Sequence, residues 1–184
     1  DHDHRHGCRP DPGYCPSVAV IRVTPTHFDQ MIKAAEAAYP RECCGLLVGT
    51  ETPDGVVTVT KVVASDNVHP TGGKDRFEVD PRVRFNLMRE LGEIGDKPQG
   101  LERIIGHYHS HPNHPAEPSA HDLACAFEPA LVWIIIGLDG GRAQTVAAHK
   151  LRDDAAGFQQ IPLRNADGST YSISADQEER KVQP

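Results

Sequence analysis

Short apolar blocks, broken by Gly, Pro and Asp clusters, divide the chain into alternating strand-like and helix-like stretches. Ser17 to Val23 (Ser-Val-Ala-Val-Ile-Arg-Val) is a β-branched run that reads as a strand, and Thr24-Pro25 has the order of an N-cap and first helical residue. Phe28, Met31 or Ile32, Ala35 and Ala38 then recur at helical spacing, which predicts a helix to about Tyr39 with that stripe in the core. Pro40 ends it. Cys43 to Thr50 and Val56 to Val63 read as strands joined by the turn residues Glu51 to Gly55, a hairpin. Ala64 to Asp80 is polar and rich in Gly and Pro, with Phe77 and Val79 as a short strand and the whole stretch as a guide for substrate or a plain connection. Asp80-Pro81 opens a second helix to about Ile94, striped by Val83, Leu87, Leu91 and Ile94, and residues 95–100 break it.

Arg103-Ile104-Ile105 starts the next strand, which ends near His111, where Pro112 and the loop to Pro118 stop it. Ser119 then caps a helix. Leu131 to Leu138 is a buried strand, Asp139-Gly140-Gly141 a turn and Arg142 to Leu151 its partner, while Phe158 to Leu163 and Tyr171 to Ile173 read as edge strands. The order β-α-β-β-α-β-α-β-β predicts an α+β or mixed α/β fold around one central sheet. A flexible tail is expected over residues 1–16, one domain over 17–174 and frayed chain over 175–184.

Composition narrows the function classes. The net charge of −7 argues against attraction to nucleic acid or an anionic membrane. No apolar run approaches the roughly 20 residues that cross a bilayer, and the first residues do not resemble a signal peptide, so the expected location is cytoplasmic. Five cysteines at irregular spacing do not suggest a disulfide framework. His2, His4, His6, Cys8 and Cys15 crowd the first residues without a fixed Cys-x-x-Cys unit, a weak signal for a second metal.

Five of the eleven histidines, His107, His109, His111, His114 and His121, lie in one short segment. Residues two apart on a strand point to the same face with Cα atoms roughly 6.6 Å apart, so His109 and His111 can turn their imidazoles to one point. Asp122, on the first turn of the Ser119 helix, is the best third ligand for a zinc site that keeps its fourth position open. Ser119-x-x-Asp122 also resembles a capping box, which needs no metal.

The whole spacing, His109-x-His111, seven residues, Ser119, two residues, Asp122, together with Pro40-Arg41-Glu42-Cys43-Cys44-Gly45-Leu46-Leu47-Val48-Gly49 upstream, resembles the JAMM (MPN+) metalloprotease family over about residues 18 to 150. The resemblance implies a curved mixed sheet with flanking helices and one zinc per chain. It implies His109, His111 and Asp122 as metal ligands, Glu42 as general acid/base and Ser119 as the group that steadies the oxyanion. It implies hydrolysis of a peptide or isopeptide bond at the C-terminal tail of a small ubiquitin-like protein. The Glu42 to Leu47 segment is similar to that of members acting on sulfur carriers of the ThiS or MoaD type, whose tail would bind by strand addition beside a sheet edge. No Cys/His-rich insertion follows Asp122, which argues against selectivity among polyubiquitin linkages.

Other readings compete. His107 shares the face of His109 and is either a fourth ligand or a packing residue, while His114 and His121 are expected to face solvent. Cys43, Cys44 or Cys125 with a histidine would suit a thiol protease; a zinc deaminase lacks its His-x-Glu and Pro-Cys-x-x-Cys elements. A non-catalytic MPN scaffold that binds a partner protein, or a zinc hydrolase of a non-protein amide, would share the fold.

Overall fold

Eight strands form one sheet in the order β7-β6-β5-β4-β2-β3-β1-β8 in the computed structural model, which describes residues 18, 20–92 and 101–173. In chain order the elements are β1 (Val20–Arg22), α1 (Pro25–Ala38), β2 (Cys44–Glu51), β3 (Val56–Ser65), α2 (Pro81–Leu91), β4 (Arg103–Pro112), α3 (Ala120–Ala124), β5 (Val132–Asp139), β6 (Arg142–Leu151), β7 (Phe158–Ile161) and β8 (Leu163–Arg164). The hairpins β2/β3 and β5/β6 are antiparallel, β4 and β5 run parallel, and β1 runs parallel to both β3 and β8. The sheet is therefore mixed, as expected. The two-residue turn Gly140-Gly141 has φ of +55° and +84°, which glycine adopts at little cost and which matches the twist of a tight hairpin.

The run from Phe158 to Leu163 is not one strand. Pro162 has no N–H to give to a ladder, and the chain changes partners there, β7 on β6 and β8 on β1. Those are opposite ends of the strand order, so the sheet curls until a single residue bridges its two edges. Tyr171 to Ile173 form no strand; Thr170 makes an isolated bridge to Arg164. Tyr171 instead stacks on Phe28 with ring centroids 3.9 Å apart and donates its hydroxyl to the Val23 carbonyl at 2.6 Å. Phe77 and Val79 make no strand either, beyond one bridge from Val79 to Asn67. The expected tail, the residues beyond 173, Ile94 and the 95–100 break lie outside the described residues.

Helix α1, capped by Thr24, buries Met31, Ile32 and Ala35 against one face of the sheet, where Leu47, Tyr108, Ile134 and Ile136 meet them. Helix α2 covers part of the other face with Leu87, beside Leu46, Val48, Ile104 and Leu131. An extra residue at Ile105 breaks the β2/β4 register and resets the alternation, so Ile104 and His107 face the same side. From there His107, His109 and His111 point to the α2 and α3 face, and Tyr108 and Ser110 to the α1 face. No helix among the described residues is long and apolar enough to cross a membrane.

Candidate metal centre

Strand β4 is central, paired by β2 on one side and β5 on the other, so its histidines are displayed by a rigid and buried backbone. His109 and His111 turn their Nε2 atoms to within 3.0 Å of each other. Helix α3 brings Asp122 over them, with Oδ1 3.4 Å from His109 Nε2 and Oδ2 3.3 Å from His111 Nε2. One ligand atom from each of the three lies within 4.8 Å of the others, and all three residues are buried. Ligands about 2.0–2.1 Å from a tetrahedral zinc stand about 3.3 Å apart, so the three contacts fit one ion of that size. The donor set, two imidazoles and a carboxylate, suits zinc.

The capping box and the cluster use the same residues at once. Ser119 Oγ accepts from Asp122 N at 3.1 Å, and Ser119 N donates to Asp122 Oδ2 at 2.7 Å. This fixes the carboxylate while the exposed Ser119 hydroxyl keeps its proton for donation. Burial alone would raise the Asp122 pKa, but the two imidazoles and the Ser119 N–H overrule it and hold the carboxyl well below its usual range.

His111 is oriented from behind. Its Nδ1 lies 3.1 Å from the Pro115 carbonyl, an acceptor only, so Nδ1 carries the hydrogen and Nε2 the lone pair. The loop supplying that carbonyl is pinned to β6: Ala116 N donates to Thr145 Oγ1 at 3.3 Å, and the buried His149 Nε2 donates to Ala116 O at 2.9 Å. The His109 ring is fixed by packing, stacked on Phe77 at 4.3 Å and 18°. Burial lowers the His109 pKa. Burial would lower that of His111 too, but Asp122, the Pro115 carbonyl and Glu42 raise it.

Glu42 stands at the mouth of β2. Cys44 is opposite His109, Ser110 N donates to Cys43 O at 3.2 Å, and Cys43 N donates to the buried Ser110 Oγ at 2.8 Å. One further step of the register puts Glu42 beside His111. Its backbone is held on both sides, N to Gly73 O at 2.5 Å and O from Asn67 Nδ2 at 3.0 Å. Burial pushes its carboxyl up to about 8, against His111 and reinforced by Asp122. A cation among these groups would relieve that penalty.

His107 is not part of the cluster. It is buried against Trp133 with ring centroids 4.1 Å apart, and burial pushes its pKa down to about 3, a neutral packing residue. His114 is exposed as expected, but His121 is half-buried, with Nε2 3.6 Å from Cys125 Sγ. Burial pushes Cys43 up to about 11 and Cys44 to about 12, so both stay protonated thiols. Trp133, Ser110, Thr145 and His149 carry no spacing signal in the sequence; strand register brings them to the site, whereas Phe77, expected beside the site on a short strand, reaches it from an irregular segment.

A family model described as prokaryotic homologs of the JAB domain matches residues 24–151. The chain is 31% identical over 101 residues to the desampylase of Haloferax volcanii, over 55% of this chain and 66% of that protein, so it spans just under two thirds of that relative's length. A solution structure of a protein from Desulfitobacterium hafniense is similar with a TM-score of 0.63 at 29% identity, covering 79% of this chain and 92% of that one. Another, from Salinibacter ruber, gives 0.60 at 30% identity over 82% and 95%. Since the family match runs from the cap of α1 to the end of β6, and so through all of the motif from Glu42 to Asp122, the chain belongs to the prokaryotic homologs of the JAB domain.

Proposed function

We propose that the protein is a zinc-dependent peptidase or isopeptidase that hydrolyses a bond at the C-terminal tail of a small ubiquitin-like protein, with sulfur carriers of the ThiS or MoaD type as the substrate class. The observation that carries the reading is the convergence of His109, His111 and Asp122, with Glu42 beside His111 in the continued β2/β4 register. These three residues would hold the metal. When bound there, zinc supplies Lewis acidity that brings the ionisation of water toward pH 7. Glu42 would accept a proton from the attacking water and give it to the leaving amine. The Ser119 hydroxyl, whose oxygen already accepts from Asp122 N, would donate to the oxyanion.

Family membership and the Haloferax volcanii desampylase, whose name describes taking a modifier off a conjugate, support a ubiquitin-like substrate, while the sulfur-carrier class rests on the likeness of the Glu42 to Leu47 segment. Because β4 has neighbours on both sides, no sheet edge lies at the histidines; a tail would cross the face beside the 67–79 segment rather than extend β4. A cytoplasmic setting, where thiols stay reduced, goes with the free Cys43, Cys44 and Cys125.

The test is to incubate the zinc-loaded protein and its Glu42→Gln variant with sulfur carriers extended by cysteine or a peptide, and to weigh the products. Cleavage by the parent alone is expected. Cleavage by neither overturns the substrate class, equal cleavage by both overturns the role of Glu42, and protein that binds no zinc would be a scaffold.

A further inference from the structure

His111, His109 and His107 follow one another on a single face of β4, and the two ends of that row differ in chemistry. Glu42 stands at the His111 end. At the His107 end opens a cleft of about 340 Å³, to which both His107 and Asp122 contribute. Its walls are Leu46, Phe77, Val79, Leu131 and Trp133, and Trp133 is paired in register with His107. Phe127 at the rim is 83% exposed, a large apolar ring with little cover of its own. The charged groups at the rim, Arg84 and Glu128, bind each other through two contacts of 2.6 Å. The cleft is thus apolar and suited to an uncharged occupant, at the small end of the roughly 300–1,000 Å³ range of ligand pockets.

Direction follows from the proton. Glu42 must reach the amine nitrogen to protonate it, so the leaving side of the scissile bond lies toward His111 and the acyl side runs toward His107. From the midpoint of His109 and His111 to His107 is about 10 Å along the strand, the span of about three extended residues. We propose that this cleft binds a large apolar side chain of the substrate's acyl segment, within about three residues upstream of the scissile bond. The proposal rests on the peptidase reading above. It gives specificity to side chains that the metal chemistry does not use, with Phe127 folding its exposed ring onto the bound group.

Trp133 is the chain's single tryptophan, so its emission reports on the cleft directly. The zinc-loaded Glu42→Gln protein is titrated with end-blocked peptides X-Gly-Gly-Ala, where X is Leu, Phe, Ser or Asp, and with Gly-Gly-X controls that move X to the leaving side. Leu and Phe upstream should bind about ten-fold tighter than Ser and Asp, with a shift in Trp133 emission. Phe127→Ala, a change at an exposed position, should remove much of that preference. Equal affinities, or a preference only for X on the leaving side, overturn the assignment. The same peptides are then offered to the zinc-loaded parent. Cleavage that ignores X overturns the cleft and leaves the peptidase standing, whereas apolar-selective binding without cleavage keeps the cleft and overturns the hydrolase reading.

Discussion

Gly137→Ala tests how the candidate metal cluster is held in shape. Gly137 lies on β5, paired in register with His111. A Cβ added there would stand 2.5 Å from Thr145 Oγ1 and 2.8 Å from both Ala116 N and His114 O. Two of the three neighbours are backbone, so the 113–118 loop must withdraw by about 0.6 Å to reach ordinary contact. That loop carries the Pro115 carbonyl now 3.1 Å from His111 Nδ1; a similar retreat takes the contact past the range of a hydrogen bond. Overpacking of this kind costs about 1–3 kcal/mol of stability, and loss of a group orienting a metal ligand costs about 10–100-fold in affinity. The variant should therefore melt lower and lose zinc at about ten-fold lower chelator concentration or less, read by competition titration and thermal unfolding. Parental zinc affinity in a folded but destabilised variant would show that the Pro115 contact does not orient His111.

Other expectations follow from the same geometry. Ser119→Ala should slow cleavage by about 10²–10³-fold through the lost donor and lower stability by about 0.5–2 kcal/mol through the lost cap, measured by steady-state kinetics and urea unfolding. Asp122→Asn should abolish stoichiometric zinc, counted by metal analysis of the purified variant. In the metal-free protein Glu42 has a folded pKa of about 8 against 4.5 for the free group, so its contribution is full below pH 4.5, declines as pH rises and is lost beyond about 8. Unfolding free energies from urea titrations should fall across that window with a slope of up to about 1.4 kcal/mol per pH unit, and Glu42→Gln should flatten the difference. Cys43→Ala should leave cleavage intact, and its loss in a folded, zinc-loaded variant would favour thiol chemistry.

The stripe of α1, the hairpins β2/β3 and β5/β6 and the cap at Ser119 were readable because each depends on neighbours within a few residues. The irregular path of Tyr171 to Ile173 was not. Its fate rests on Phe28 and Val23, far away in the chain, and a tyrosine that finds a stacking partner and a carbonyl there gains more than an isolated edge ladder would give. The division at Pro162 was present as a missing N–H, but its consequence, one segment serving both edges, needs the curl of the whole sheet.

The site divides in the same way. The types and spacing of Glu42, His109, His111, Ser119 and Asp122 are properties of the sequence, and all five lie within the stretch that the family model matches. The neutral role of His107, the stacking of Phe77 on His109, the clamp of Thr145 and His149 on the loop behind His111, and the cleft beside Trp133 belong to the tertiary structure. Periodicity tells which face of a strand a residue occupies; which strand lies beside it, and what that neighbour presents, depends on pairing between segments that are remote in sequence.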